Sequence, residues 1–523
     1  MDLNQFLIWT IGFWCILLLV WLCRLPFSYL RGWLVVTVLI VAVTAGMLYV
    51  YPSIAGLVGG SLWLILIVIP MIGMRKVTQL IYTMRYAEAR KLAAKVRWLH
   101  RLDGWIEQPE ILRALEMGQR GEFAAAFQIL IPYQNTGNPI GRSATLLLYQ
   151  MDSRWSELLL WIQNNFSEKV LAKDATLVSF YLHSLGETGD LNSLVQAFDR
   201  FERTLEKSGG VLSLNQSRMV ILAFCGQIEN LQKLFDSSLK ELPLSIRNFW
   251  LATAEIAAGN EDFGRQQLIA LRDNYDGDFG NAIAWRLSHP IPSPDLVLSA
   301  SSKQILFRIS SDLNQEYKYS PAVTLSGKKP LATYALIGIN ILVFALEIKL
   351  WNSQELEILL FQMGALDPER VWAGEWWRLL NANFLHAGFL HLAMNMMGLY
   401  VIGSFVEVSL GSWRYLISYL VSGVGSMFVI CILSKFFNSQ SIITVGASGA
   451  IMGLVGVMGA IMLWGWRREK SRIAARGLRS IILIIVLQLM FDLSNPQVSI
   501  AAHNYGLILG FITGNLLLLT RRN

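Results

Sequence analysis

The stretch GASGAIMGLVGVMGAIMLWG, residues 446–465, decides how the whole chain is read. It holds no charge over twenty residues, enough to cross roughly 30 Å of hydrocarbon as a helix. Its glycines Gly446, Gly449, Gly453 and Gly456 recur at intervals of three and four, so they line one helix face. A second apolar run, IAAHNYGLILGFITGNLLLL at 500–519, repeats the device with Gly506, Gly510 and Gly514. Small residues at such intervals let two membrane helices approach closely. Each run carries a polar side chain near its start, Ser448 in one and His503 in the other. Polar groups within a span are costly and mark function by default. Packing stripe against stripe brings the Ser448 hydroxyl towards the His503 ring, and a serine needs such a base to become a nucleophile.

Working outward, the composition agrees with a membrane protein that has a sizeable wet part. The 523 residues are 54% hydrophobic and 15% charged, and the mean hydropathy is +0.44. The net charge of +7 comes largely from cations beside apolar runs, which favours a membrane explanation over nucleic acid. The four cysteines, Cys15, Cys23, Cys225 and Cys431, have no metal-ligand spacing. Neither a disulfide framework nor a metal site is expected, and no cofactor.

Apolar runs at 5–23, 33–50 and 55–74 predict three N-terminal spans, making 1–74 a first domain. Further spans are predicted at 331–350, 382–403, 415–433, 445–465, 478–492 and 500–519, nine in all. Arg24, Arg31, Arg75 and Lys76 flank one side of the first three. Arg467, Arg468, Lys470, Arg472, Arg476 and Arg479 mark a basic loop after the seventh, and Arg521-Arg522 ends the chain. The positive-inside rule then puts the N-terminus outside and residues 75–330 and the C-terminus in the cytoplasm.

Residues 75–330 read as soluble and helical, with 320–330, including Gly327, Lys328 and Lys329, as a linker. Gly121-Glu122-Phe123, Gly189-Asp190-Leu191, Gly226-Gln227-Ile228 and Gly259-Asn260-Glu261 share a turn followed by an amphipathic stretch. A turn near Arg154-Trp155 divides the widest gap. A period near 34 resembles tetratricopeptide-type repeats, although that family's aromatic and proline positions are mostly missing. The expected role is binding a protein partner or scaffolding.

The last third, 331–523, carries the chemistry. His386-Ala-Gly-Phe-Leu-His391-Leu-Ala-Met-Asn395 places His391 and Asn395 four apart on one helix face. Both are suitable donors for an oxyanion, and the Ser448 backbone N–H is a third.

His391-x-x-x-Asn395, Gly446-Ala-Ser448-Gly449 and Ala502-His503-x-x-Gly506-x-x-x-Gly510, on the second, fourth and sixth spans of a six-span block, resemble the rhomboid family of intramembrane serine proteases. Trp377-Arg378 resembles that family's Trp-Arg pair in the first loop, and Glu407-x-x-x-Gly411 its Glu-x-x-x-Gly after the second helix. The resemblance covers about 331–519. It implies an all-α polytopic membrane protein: a six-helix bundle behind three spans and a helical-repeat domain. It also implies Ser448 as nucleophile, His503 as general base and acid, and His391, Asn395 and the Ser448 N–H as the oxyanion hole. His386, Gly446, Gly449, Gly506, Gly510, Trp377 and Arg378 support the site, the Trp-Arg pair being read as a headgroup-level anchor. The pair Ser448–His503 is read as a dyad: Asp492 lies at a span end, and no acid is placed to orient His503. Met452 stands where many relatives carry an aromatic residue that stacks on the histidine. The substrates are expected to be transmembrane segments that unwind locally, because an intact helix hides its carbonyls in hydrogen bonds. The partners are those substrates and membrane lipids. A bacterial plasma membrane is the expected home. The alternatives are a catalytically inactive rhomboid-like protein that binds membrane helices, and a transporter or scaffold with a cytoplasmic repeat domain. The second would call for charged residues facing a pathway, and the core spans offer few.

Overall fold

The computed structural model describes residues 3–22, 31–134, 139–320, 329–351, 355–437, 443–495 and 499–520. The fold is all-α: among these residues the extended pairing is a single antiparallel bridge, Leu366 to Thr444. Eight helices are long and apolar enough to cross a membrane. The predicted first span is also helical, α1 over Leu3–Leu22. The chain divides into two compact units, Met1–Ile309 and Ser310–Asn523.

In the first unit α2 spans Arg31–Val50 and α3 spans Ala55–Tyr82. The helix α3 runs eight residues past the predicted end at 74, so Arg75 and Lys76 lie on the helix, where long stems let charged heads reach water. The turn Leu64–Val68 is widened, just ahead of Pro70. Proline has no N–H to give to the preceding turn, and a widened turn is one way a helix absorbs that loss. Asn4 ties α1 to the connection ahead of α3: its amide donates to the Pro52 carbonyl at 2.8 Å and accepts from the Gly56 N–H at 2.7 Å.

Beyond α3 the unit is a series of shorter amphipathic helices. Leu191–Ser208 buries Leu191, Leu194, Val195, Phe198, Phe201 and Leu205, the three-and-four spacing of one helix face. The four glycines of the turn pattern, Gly121, Gly189, Gly226 and Gly259, all adopt left-handed backbone, as does Ser153 two residues before Trp155. New helices begin at Phe123, Trp155, Leu191, Ile228 and Glu261. The turn residues 121, 153, 189, 226 and 259 are thus separated by 32, 36, 37 and 33 positions. A buried cluster ties distant helices together. Glu187 accepts from Arg286 on Oε1 at 2.5 Å and from the Trp285 indole on Oε2 at 3.1 Å, while His183 Nε2 lies 3.1 Å from Oε1 and its ring is tilted against those of Trp155 and Trp250.

The second unit carries α4 (Leu331–Leu350), α5 (Phe389–Leu410), α6 (Ser412–Phe437), α7 (Ser448–Glu469), α8 (Arg472–Ser494) and α9 (Ile500–Leu519). The predicted linker falls mostly at 321–328, outside the described residues. The starts of α5, α7 and α8 differ from the sequence reading, each for a local reason. α5 starts at 389 and not 382, because the chain first makes a short helix, Arg378–Asn381, and then turns at Gly388 with φ +110°. α7 starts at Ser448 itself, after Gly446 with φ +123°. α8 starts at 472 and not 478, because the Ser471 side chain caps the Ala474 N–H at 3.1 Å. Most of the basic stretch is therefore helix end, and the connection itself is Lys470-Ser471.

Helix α7 is the hub: 83% of its apolar window is buried, against 11% for α8. Lipid is as apolar as leucine, so a central helix gains from close packing more than from burial as such. The glycines supply that closeness. A Cβ on Gly506 would collide with the Gly449 carbonyl oxygen, and one on Gly510 with that of Gly453. From the other side, a Cβ on Gly456 would meet the Leu507 carbonyl oxygen, and one on Gly453 the Ser422 side chain. At the deeper end a Cβ on Gly514 would lie 3.0 Å from the Val457 Cα and 3.1 Å from the Ala460 Cβ, a tight fit but no collision with a carbonyl. The helices α7 and α9 therefore meet backbone to backbone along the two stripes.

Candidate active site

Ser448 is the first residue of α7, so its N–H and those of the next residues have no carbonyl one turn back to receive them. The positive end of the helix dipole points the same way. Gly446 shapes the approach. Its left-handed backbone suits glycine, its N–H donates to the Ala382 carbonyl at 2.8 Å, and a Cβ there would lie 2.8 Å from the His391 Nε2 and 3.5 Å from the Asn395 amide nitrogen. The space left by that missing Cβ is where the His391 and Asn395 side chains face the start of α7.

Both side chains are poised as donors. The Ala387 N–H donates to His391 Nδ1 at 3.3 Å. In the neutral ring the proton is then on Nε2, the atom that faces Gly446. The Asn395 amide nitrogen is buried and has no hydrogen-bond acceptor. A buried donor left unpaired is costly, and such a group beside a candidate nucleophile suits an anion that forms only during reaction.

His503 enters from the first turn of α9. A Cβ on Gly449 would lie 2.7 Å from the Ser426 hydroxyl and 3.4 Å from the Ala502 carbonyl oxygen, so the residues next to Ser448 and His503 lie close together. The sequence reading that no acid orients His503 is corrected here. Asp492 Oδ2 lies 2.8 Å from His503 Nδ1, and both side chains are buried. The other oxygen, Oδ1, accepts from the Gln488 amide at 2.8 Å, and that amide is also 3.4 Å from His503 Nδ1. The last turn of α8 lies beside the first turn of α9, so the span end that seemed remote is adjacent to the ring. Met452 is buried in α7.

The helices that carry these side chains fall within a stretch that is similar to known proteins. The rhomboid domain family model matches residues 373–520. Residues 373–520 belong to the rhomboid family. Arabidopsis thaliana RHOMBOID-like protein 6, mitochondrial, is 42% identical over 159 residues, 30% of this chain and 49% of that protein. RHOMBOID-like protein 5 of the same plant is 39% identical over 158 residues, again 30% and 49%. The rhomboid protease GluP of Bacillus subtilis (strain 168) is 32% identical over 198 residues, 38% of this chain and 37% of that one. The chain spans about half the length, or less, of these relatives. No solved structure matches it.

Around the rhomboid site, the remaining candidates act as braces. His386 is fully buried; its N–H donates to Glu347 at 3.1 Å, its Nδ1 lies 3.1 Å from the Phe384 carbonyl, and its ring meets that of His391 edge-on at 5.2 Å. It holds the loop from which α5 starts. The reading of Trp377-Arg378 as a headgroup anchor is corrected for Arg378, which is 4% exposed. Its guanidinium donates to the Phe361 and Ala365 carbonyls at 2.8 and 2.9 Å and to Glu375 at 2.6 Å. Trp377 lies against that guanidinium at 4.9 Å and is half-exposed. Five donors in a fixed fork make arginine suited to knotting a loop. Glu407 accepts from the Ala332 and Thr333 N–H groups at 2.9 and 2.7 Å and from Ser412 at 2.7 Å. It thereby caps α4 from the end of α5. Sequence reasoning missed Asp492, Gln488 and Glu347. The i, i+4 spacing of Gln488 and Asp492 was the available signal for the first two.

Proposed function

We propose that this chain is an intramembrane serine endopeptidase that cleaves transmembrane segments of other proteins. The observation that carries the reading is at Gly446: His391 Nε2 and the Asn395 amide face the start of α7, whose first residue is Ser448, and the neighbours of Ser448 and His503, Gly449 and Ala502, lie close together. Ser448 Oγ attacks the scissile carbonyl carbon while His503 takes its proton. The carbonyl oxygen gains the electron pair and is held by His391 Nε2–H, the Asn395 amide and the Ser448 N–H. His503 then returns the proton to the departing amine as the C–N bond breaks, and water hydrolyses the acyl-enzyme by the same route.

The names of the relatives support the family of reactions, and the residues support an active member. An inactive helix-binding relative would not need His503 beside Ser448. The test is cleavage of a transmembrane reporter in proteoliposomes by the full chain. Ser448→Ala and His503→Ala each abolish cleavage with insertion unchanged, and the double variant is no worse than either single one. Wild-type cleavage by either single variant would refute the assignment. The cation pattern supports a cytoplasmic 75–330, whose left-handed turns at a near-regular interval suit a helical-repeat surface for a protein partner.

A further inference from the structure

We infer that Asp492 is the positioning residue for His503, so that the base works in an Asp–His–Ser relay of contacts and not as an isolated histidine. The inference rests on the proposed Ser448–His503 reaction. A carboxylate has no proton to donate, so the 2.8 Å contact requires His503 Nδ1 to carry the hydrogen. The neutral ring then has its lone pair on Nε2, the nitrogen available to Ser448.

Asp492 is itself held. Its second oxygen accepts from Gln488, one turn earlier on α8, at 2.8 Å, and the carboxylate is 2% exposed. A carboxylate fixed at both oxygens fixes the plane of the ring it grips. The α8 end supplies the support by hydrogen bonding.

The carboxylate has a second effect. As Ser448 Oγ bonds to the carbonyl carbon, its proton moves to His503 Nε2 and the ring becomes a cation. Asp492 keeps its negative charge and takes no proton; it stabilises that cation across a dry contact. The other titratable ring within electrostatic reach is His391 on α5. The first turns of α7 bring Ser448, Gly449, Ala450, Ile451 and Met452, none of them charged.

The experiment is Asp492→Asn in the full chain, assayed on a transmembrane reporter over a range of pH, beside Ser448→Ala and His503→Ala. Asparagine keeps the volume and a hydrogen bond, but can turn its amide towards Nδ1 and leave the proton on the wrong nitrogen. The expected result is a kcat fall of about 10²–10⁴-fold with KM little changed. A merely structural contact would not lower kcat while leaving KM in place. Wild-type kcat overturns the inference, while dead Ser448→Ala and His503→Ala leave the dyad standing. Cleavage by Ser448→Ala overturns both. A measurement on the unmutated protein guards against a variant that fails to fold: nitrogen-15 shifts of its histidines, with His503 assigned by difference from His503→Ala. Protonation on Nδ1 is expected at neutral pH, and a proton on Nε2 refutes the inference.

Discussion

The oxyanion donors are separable by single substitutions. Asn395→Ala removes an amide whose buried nitrogen has no acceptor among the described residues, so folding loses little while the reaction loses a donor. Cleavage should fall by roughly 10²–10³, and fluorophosphonate labelling should persist at a reduced rate, because Ser448 and His503 are untouched. Wild-type turnover in Asn395→Ala would make it a packing residue. Far from the chemistry, Glu187 gives a different test. Burial alone would raise its carboxyl pKa, but Arg286 and His183 beside it outweigh burial and hold it below the ordinary value. A carboxyl lowered in this way contributes stability that is fully present above about pH 4.3 and lost as the pH falls through its lower folded value. Amide-exchange protection of the helices Ala175–Glu187 and Gly277–Ser288 should therefore drop below about pH 4. Glu187→Gln should cost about 3–5 kcal/mol of protection at pH 7, since it leaves Arg286 buried without its carboxylate. Ser448, His391, Asn395 and His503 were legible from the sequence because polar groups stand out in apolar spans. Asp492 was not, because a charge at a span end is ordinary until the fold brings a ring eleven positions later against it.

Helix packing sets how far apart those residues stand. Gly506→Ala would put a methyl into the Gly449 carbonyl, one residue from Ser448, and the two helices must part. A displacement of about 1 Å at reacting groups costs roughly 10²-fold, so this variant should lose most of its cleavage although it carries no proton. Gly338→Ala on α4, where a Cβ meets nothing within 4 Å, should be fully active and serves as the control. Equal activity of the two in the reporter assay would mean that the glycine contact between α7 and α9 does not govern the site. The stripes themselves were visible at three-and-four spacing, and they define the pairing of these helices. Helix starts were less legible. The early start of α8 depends on Ser471 capping a single N–H, and the late start of α5 on a turn at Gly388. Apolar patterning is blind to both devices, since a loop of Ala, Asn, Phe and Leu reads like a span.

The whole chain joins a rhomboid domain to further helices, apolar and amphipathic, that lie outside the family match at 373–520. The sequence exposed this organisation through its hydropathy, and the near-regular turns through glycine. The turn at Ser153 was placed only to within a residue or two, because serine gives no left-handed signal of its own. Sidedness follows from cations: cysteines introduced at Asp152 and Asn495 should be labelled from opposite faces of the membrane, and labelling from the same face would undo the proposed topology. The claim on which everything else depends is that Ser448 is a nucleophile activated by His503. Its most direct measurement is mass mapping of the full-length protein after reaction with a fluorophosphonate. The adduct is predicted on Ser448 and absent from His503→Ala; an adduct on a different serine, or none on the wild-type protein, would contradict the account.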